Sequence, residues 1–575
     1  MTPSALQAEW IVGRPDPERV DALGTELGVS RVLAAVLVGR GMSGPREARA
    51  FLSAGGDLLD PMAMADMGRA VERIERAVRQ AEPVVVYGDY DADGLTGMAL
   101  LVDCLRRRGA NVEYYVPDRL EEGYGVKGAV LRELAARGTR LVVTVDCGIT
   151  AIAEAELAAQ LSMDLVVTDH HTPGPCSPPA AAVLNPLREG CGYPFKQLAG
   201  VGVALKLAQA MLPGGEWEEY LDLAAVGTIA DAVPLLGENR LLVRRGLVAL
   251  RDTSRPGLRQ LLRASGGASG EVTAERVIYG LGPRLNAAGR LGRAEVAAEI
   301  LLTRDEGRAR LLAGQLEEFN RQRRSLEAQI VREAEDMVAA GAGGACLVLA
   351  RAGWPTGVLG IGAARLAERH RLPAVLLTIE GDKARGSARG LPGLDMLDAL
   401  RACHDLLETY GGHPGAAGLS LEADRLPEFA GRMQEVVGGR LTPGGRMPRM
   451  FVDAEVAAGE IDGRLVRDLE LLEPCGQGNP PPILVLRGAP VVDCRAVGQD
   501  GAHLRLTLGR AAGSLRAMAF RMGGSLNRLA GTQRLDLAFT PLIERWNGRE
   551  SLTLAVRDFD IPGGDRRELT DGSGS

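Results

Sequence analysis

Apolar residues recur at three- and four-residue spacing through DPERVDALGTELGVSRVLAAVLVGRG and MGRAVERIERAV, which predicts amphipathic helices over residues 1 to 80. From residue 83 the pattern changes. Short apolar runs (PVVVYGDYD, NVEYYVP, LVVTVDCG, DLVVTDHH) alternate with helical stretches (TGMALLVDCLRRRG, VKGAVLRELAARG), the arrangement of a parallel sheet with right-handed crossovers. The stretch near 296 to 340 is highly charged, contains no proline and keeps helical periodicity, so one long connecting helix is predicted. ACLVLA, VLGIGAARLAERH and PAVLLTIEG then predict a second α/β unit ending near GGHPGAAG (411 to 418). Beyond 447, short strands from RMFVDAEV to SLTLAVRDF predict a small antiparallel barrel, and the polar tail GGDRRELTDGSGS predicts no fixed structure. The fold class is therefore α/β: two α/β domains joined by a long helix, followed by a β-barrel. Boundaries fall at 1–80 (helical region), 81–265 (parallel-sheet domain), 266–340 (connecting region), 341–446 (smaller α/β domain), 447–562 (barrel) and 563–575 (tail).

At 575 residues the chain exceeds one hydrophobic core, and 46% hydrophobic with 25% charged residues is ordinary for a globular protein. No basic leader followed by an apolar segment opens the sequence, and no run of about 18 apolar residues occurs, so a cytoplasmic protein without a membrane partner is expected. Eight scattered cysteines with no C-x-x-C pair disfavour zinc and disulfide scaffolds. A net charge of −7 offers no global attraction to a polyanion. Two local basic stretches stand out, Arg240 to Arg263 and Arg487 to Arg545, either nucleic-acid surfaces or solvated faces.

The densest chemical signal is VVVYGDYDADGLTG. Asp89, Asp91 and Asp93 follow a buried-looking strand and precede a helix predicted to begin near Thr96. Ligands of open α/β sheets bind beyond the carboxyl ends of strands, and clustered carboxylates need cations to offset their repulsion. An EF-hand loop would need glutamate where Leu100 stands. A phosphatase of the haloacid-dehalogenase type would not need the further sites, and simple capping of the helix explains only this one segment. The pattern repeats: Asp146 follows LVVTV, Asp169, His170 and His171 follow DLVVT, and Asp231 follows AAVGTIA. Carboxylates with imidazole suit manganese or similar ions, and shared carboxylates hold two. Neither nucleotide-binding glycine motif is present. For anion recognition, GLGPRLNAAGRLG offers Arg284, Asn286 and Arg290, and KARGSARGLPG offers Ser387 and Arg389 in what reads as a flexible turn. His413 in GGHPGAAG is either a substrate contact or an ordinary histidine.

These motifs, D-Y-D-A-D-G (89–94), T-V-D-C-G-I (144–149), T-D-H-H (168–171) and the Asp231 region, resemble the DHH phosphoesterases in kind and order. GGHPGAAG resembles the associated DHHA1 domain. EPCGQGNPPP (473–482) and IERWNGRESLTL (543–554) are similar to the oligonucleotide-binding (OB) domain of the RecJ family, a likeness that also takes in EEGYGVK (121–127) and LAGVGVALK (198–206). The resemblance implies a bacterial exonuclease that degrades single-stranded DNA from the 5′ end to mononucleotides with Mn2+ or Mg2+, in recombination and repair. It also implies a monomer assisted by a helicase and a single-strand-binding protein. By motif, Asp91, Asp93, Asp146, His170 and Asp231 would ligate two ions, with Asp146 bridging and Asp89 supporting or joining the site. His171 would face the scissile phosphate, and Arg290, Ser387 and Arg389 would hold the 5′-phosphate or adjacent backbone. Pro355, Cys147 and Cys475 stand where this family more usually has histidine, asparagine and phenylalanine. Two other functions are weighed: a phosphodiesterase for short oligonucleotides or cyclic dinucleotides, which would not need the barrel, and a non-catalytic replication scaffold, which would not need intact ligands.

Overall fold

The computed structural model describes residues 8–42, 44–53, 55–266, 272–441, 449–511, 513–546, 549–562 and 569–570. They form two compact units: residues 57–446 with 476–478, and residues 1–56 with 447–475 and 479–575.

In the first unit, β-branched runs become five parallel strands in the order Asn111–Tyr115, Pro83–Tyr87, Leu141–Val145, Asp164–Thr168, Ala182–Leu184. Near-continuous Val and Leu in these strands reflect burial on both faces. Residues Asp89 to Asp93, Asp146 and Asp169 to His171 therefore leave the same, carboxyl edge of the sheet. The helix after Pro83–Tyr87 is Ala92–Arg107, starting four residues earlier than predicted because Asp91 caps it, accepting from the N–H groups of Asp93 and Gly94.

The predicted single connecting helix is two. Ala294–Leu302 ends, and Glu306–Ala339 begins anew with Asp305 as its cap, accepting from Arg308 N at 2.6 Å. Charge periodicity alone does not register the break, which an Asx cap imposes. The second sheet has the order Thr409–His413, Ala416–Glu422, Lys383–Arg389, Ala374–Glu380, Leu347–Ala352, with only the last two parallel. KARGSARG is thus a strand and not a turn: Gly386 lies in it because a Cβ there would fall 2.2 Å from Leu376 O.

In the other unit, five strands close into a barrel: Leu484–Val497, His503–Arg510, Gly513–Ala519, Arg549–Asp560 and Arg534–Trp546, the last pairing back to the first. Of the residues 1–80 read as a helical region, those up to 56 belong here, while the helix Met67–Arg79 belongs to the first unit. A strand, Glu9–Val12, pairs in parallel with Arg449–Val452, and the helices Pro17–Leu27 and Arg31–Gly39 bury Leu23, Leu33 and Leu37 in the same core as Leu484, Leu504 and Phe539. Of the tail, Leu569 and Thr570 pair with Ile11 and Val12; the rest lies outside the described residues. No single helix among the described residues is long and apolar enough to cross a membrane.

Candidate metal centre and phosphate site

Asp146 sits in the left-handed region at φ 63°, a conformation Asp tolerates, directly after its strand. Gly200 makes room for it, since a Cβ there would meet the Asp146 carboxylate at 2.7 Å. Across the cleft, Asp93 receives the N–H groups of Gly200 (2.7 Å) and Val201 (2.8 Å), the first residues of the helix Gly200–Met211. His170 Nε2 lies 3.1 Å from Asp146 Oδ1, 3.7 Å from Asp231 Oδ2 and 3.9 Å from Asp93 Oδ2. Donor atoms of Asp93, His170 and Asp231 lie within 4.8 Å of one another, as do those of Asp89, Asp91 and Asp146, so Asp146 is positioned between two clusters.

Burial, followed by mutual repulsion, pushes the carboxyls of Asp89, Asp93 and Asp146 up, and brings Asp231 up to about 6. Burial and the neighbouring His171 bring His170 down to about 4, so it is a neutral imidazole near pH 7. Asp89 Oδ1, Asp146 Oδ1 and His170 Nε2 are buried yet accept or donate no hydrogen bond. Repelled carboxylates, a neutral imidazole and unsatisfied donor atoms at this spacing fit divalent cations, whose neighbouring oxygen or nitrogen ligands stand about 3 Å apart.

His171 is held differently. Its Nδ1 is 2.8 Å from Asp169 Oδ1 and 3.1 Å from the Tyr124 hydroxyl, which also donates to Asp146 O. Although burial pushes the Asp169 carboxyl up, the hydrogen bond from the His171 ring and the N–H groups of Ile149 and His171 hold it below the usual range. Burial lowers His171, but Asp169 more than offsets this and raises it. The His413 ring lies parallel to that of His171, with centroids 6.5 Å apart.

Beside this cluster four guanidinium groups converge. Burial, and then the charges of Arg119, Arg323 and Arg389, bring Arg290 down to about 10. Arg389 donates to Ser387 Oγ at 3.1 Å. The helix Thr356–His370 approaches through glycines: a Cβ on Gly357 would fall 2.1 Å from Arg290 O, and one on Gly360 2.8 Å from Arg389 Nη2 and 3.0 Å from Ser387 Oγ. Pro355, at the position where histidine is the more usual residue, occupies the N-cap of that helix.

Two expected anion contacts have other roles. Arg284 is bound to Glu317, Gly280 O and Ala264 O, which holds the helix Gly282–Arg290 in place. Asn286 Oδ1 accepts from Ala92 N at 2.7 Å and so fixes the aspartate loop. Arg119, Tyr124 and Arg323 were not assigned a role from the sequence, although Tyr124 lies within the EEGYGVK segment and Arg119 just before it; Asp169 was noted at its strand end without a role. In the basic stretch Arg240 to Arg263, Arg240 and Arg255 are buried while Arg251 and Arg263 are exposed; Arg255 pairs with Asp103 and Asp222, and Arg259 with Glu306. On the barrel, Arg495 stands opposite Arg505, and the exposed Phe520 ring packs edge-on against His503 at 5.5 Å. Cys147 is buried under the Asp146 loop.

Residues 83–228 match the DHH family, N-terminal domain; residues 343–439 match the DHHA1 domain; and residues 452–558 match the RecJ OB domain. The chain is 38% identical over 561 residues to the single-stranded-DNA-specific exonuclease RecJ of Bacillus subtilis (strain 168), spanning 97% of this chain and 71% of that protein. It is 37% identical over 541 residues to RecJ of Thermus thermophilus, covering 90% and 76% respectively. The crystal structure of Thermus thermophilus RecJ in complex with Mn2+ superposes with a TM-score of 0.84 at 33% identity, covering 97% of this chain and 80% of that one. The chain belongs to the RecJ family of single-stranded-DNA-specific exonucleases.

Proposed function

We propose that this protein is a metal-dependent exonuclease that hydrolyses single-stranded DNA from its 5′ end to mononucleotides, in recombination and repair. The observation that carries the reading is the meeting of two carboxylate and histidine clusters with a converging set of arginines at one sheet edge. Asp93, His170 and Asp231 would hold one Mn2+ or Mg2+, and Asp89 and Asp91 the other, with Asp146 shared. When bound, such ions activate a water and neutralise charge on the attacked phosphate. Asp169 fixes His171 through Nδ1, leaving Nε2 to donate a proton to the departing 3′-oxygen. Arg119, Arg290, Ser387 and Arg389 would grip the 5′-terminal phosphate and so set both register and polarity. The barrel, with its outward arginines and Phe520, would hold the trailing strand. A monomer in the cytoplasm, supplied with single strands by a helicase and a single-strand-binding protein, completes the reading.

The test is digestion of single-stranded and duplex DNA labelled at either end, with Mn2+, Mg2+ or EDTA, by wild type and Asp146→Ala. Metal-dependent release of 5′-mononucleotides from single strands, abolished in the variant, is expected. Equal activity of the variant, or no hydrolysis by folded, metal-loaded protein, would sink the proposal.

A further inference from the structure

Cleaving one nucleotide at a time poses a steric problem. The freed nucleotide still occupies the phosphate site that the shortened strand must enter next, and the strand itself fills the way by which it came. A second opening is needed if the strand is to stay bound between cuts.

One groove in the unit formed by residues 57–446 has the required position. It has a volume of about 920 Å³, within the roughly 300–1,000 Å³ of small-ligand sites. Its inner end is walled by Arg119 of the arginine cluster and by Tyr124, whose hydroxyl touches His171. From there it runs over the strands Lys383–Arg389, Thr409–His413 and Ala416–Glu422. Tyr124 and Tyr410, 44% and 36% exposed, line it with aromatic faces that a base can slide past without its edge being read. Its charge differs from that of the arginine cluster: Arg119, Lys383 and Arg385 are matched by Glu121, Glu122 and Glu408, with Lys383 and Glu408 paired at 2.7 Å. A balanced wall passes a dianion without retaining it.

We infer that this groove is the exit for the product, a nucleoside 5′-monophosphate, separate from the path of the strand. The inference rests on the exonuclease reading above.

Two glycines make the groove testable. Gly411 and Gly418 face each other across the strand pair and line it, and a Cβ on Gly411 would meet nothing within 4 Å, while one on Gly418 would approach only Gly386 O, at 4.0 Å. Gly411→Trp and Gly418→Trp should plug the channel without straining the fold. With Mn2+ and a 5′-phosphorylated oligonucleotide in single-turnover excess of enzyme, the first cut should proceed as in wild type, while steady-state release of mononucleotides should fall about tenfold or more. Gly418→Ala should behave as wild type. Arg385→Glu, at an exposed strand position, gives the same contrast without added bulk: normal first cut, slowed steady state. A first cut slowed as much as the steady state would mean that the groove holds substrate, and unchanged steady-state rates in all three variants would mean that product leaves elsewhere; either overturns the exit. A wild type that cuts nothing would instead overturn the nuclease reading, and the exit with it.

Discussion

Replacing Arg389 by Met is expected to make the protein more stable and less selective. Arg290 is brought down to about 10 by burial and by the surrounding guanidinium groups, Arg389 among them. At about 1.4 kcal/mol per decade, the charged form of Arg290 lies about 3 kcal/mol above its level in solvent. Depression of a base's pKa in the folded state means that the full cost is present at neutral pH and is relieved only as pH rises through about 10. A bound 5′-phosphate dianion cancels the charge–charge share and adds attraction of its own. We therefore expect a 5′-phosphorylated strand to be favoured over a 5′-hydroxyl strand by about 2 to 3 kcal/mol, or about 30- to 150-fold in kcat/KM. Arg389→Met removes one repelling charge and one ligand for the phosphate. Its thermal midpoint without metal or DNA should rise, and its preference for the 5′-phosphate should shrink by about tenfold or more. Competition assays with the two oligonucleotides, beside calorimetry of each protein, measure both effects. Equal cleavage of 5′-phosphate and 5′-hydroxyl strands by wild type, or a lower midpoint in the variant with selectivity intact, would refute the reasoning.

Other consequences concern the carboxylates and the histidine. A raised carboxyl pKa contributes stability below the unfolded value that is lost as pH rises through the folded one, so the EDTA-treated protein should lose this contribution as pH passes through about 6, where Asp231 titrates. Mn2+ should accordingly raise the melting temperature far more at about pH 7 than at about pH 5, and an equal rise at both would count against the cluster as the ligand set. Asp146→Asn should raise the midpoint of the metal-free protein while abolishing both activity and stabilisation by Mn2+, as calorimetry with and without the ion would show. Asp169→Asn, which unlocks the His171 ring, should lower kcat about 100-fold with KM little changed, whereas a comparable rise in KM would point to a role in binding the strand. Because residues 8–56 share the barrel's core, a fragment spanning 57–446 should fold better than one cut only at 447, a comparison that limited proteolysis and circular dichroism would decide.

Much of the candidate metal centre was legible in the chain because its signals are local. Carboxylates and histidines immediately after β-branched runs must emerge at strand ends, and a parallel sheet places those ends along one edge, whatever the rest of the molecule does. That is why Asp89, Asp91, Asp93, Asp146, His170 and His171 were identifiable before any coordinates. Strands such as Pro83–Tyr87, Leu141–Val145 and Asp164–Thr168 were equally readable from periodicity, but Glu9–Val12 and Lys383–Arg389 were not, and helix starts moved where a cap acts, as at Asp91 and Asp305.

The tertiary structure decided which partner each polar group has. Arg284 and Arg290 lie six positions apart in one motif of the same composition, yet Arg284 meets Glu317 from a distant helix, and Arg290 meets three other arginines. Arg119 and Arg323 come from segments with no shared motif, Ser387 lies on a strand and not in a loop, and the N-terminal helices pack on a barrel more than four hundred residues later. A residue's chemical capacity is a property of its side chain and its immediate backbone, which the amino-acid order states outright. Whether that capacity is satisfied, repelled or left open depends on contacts between residues far apart in the chain, and those exist only once the chain has folded.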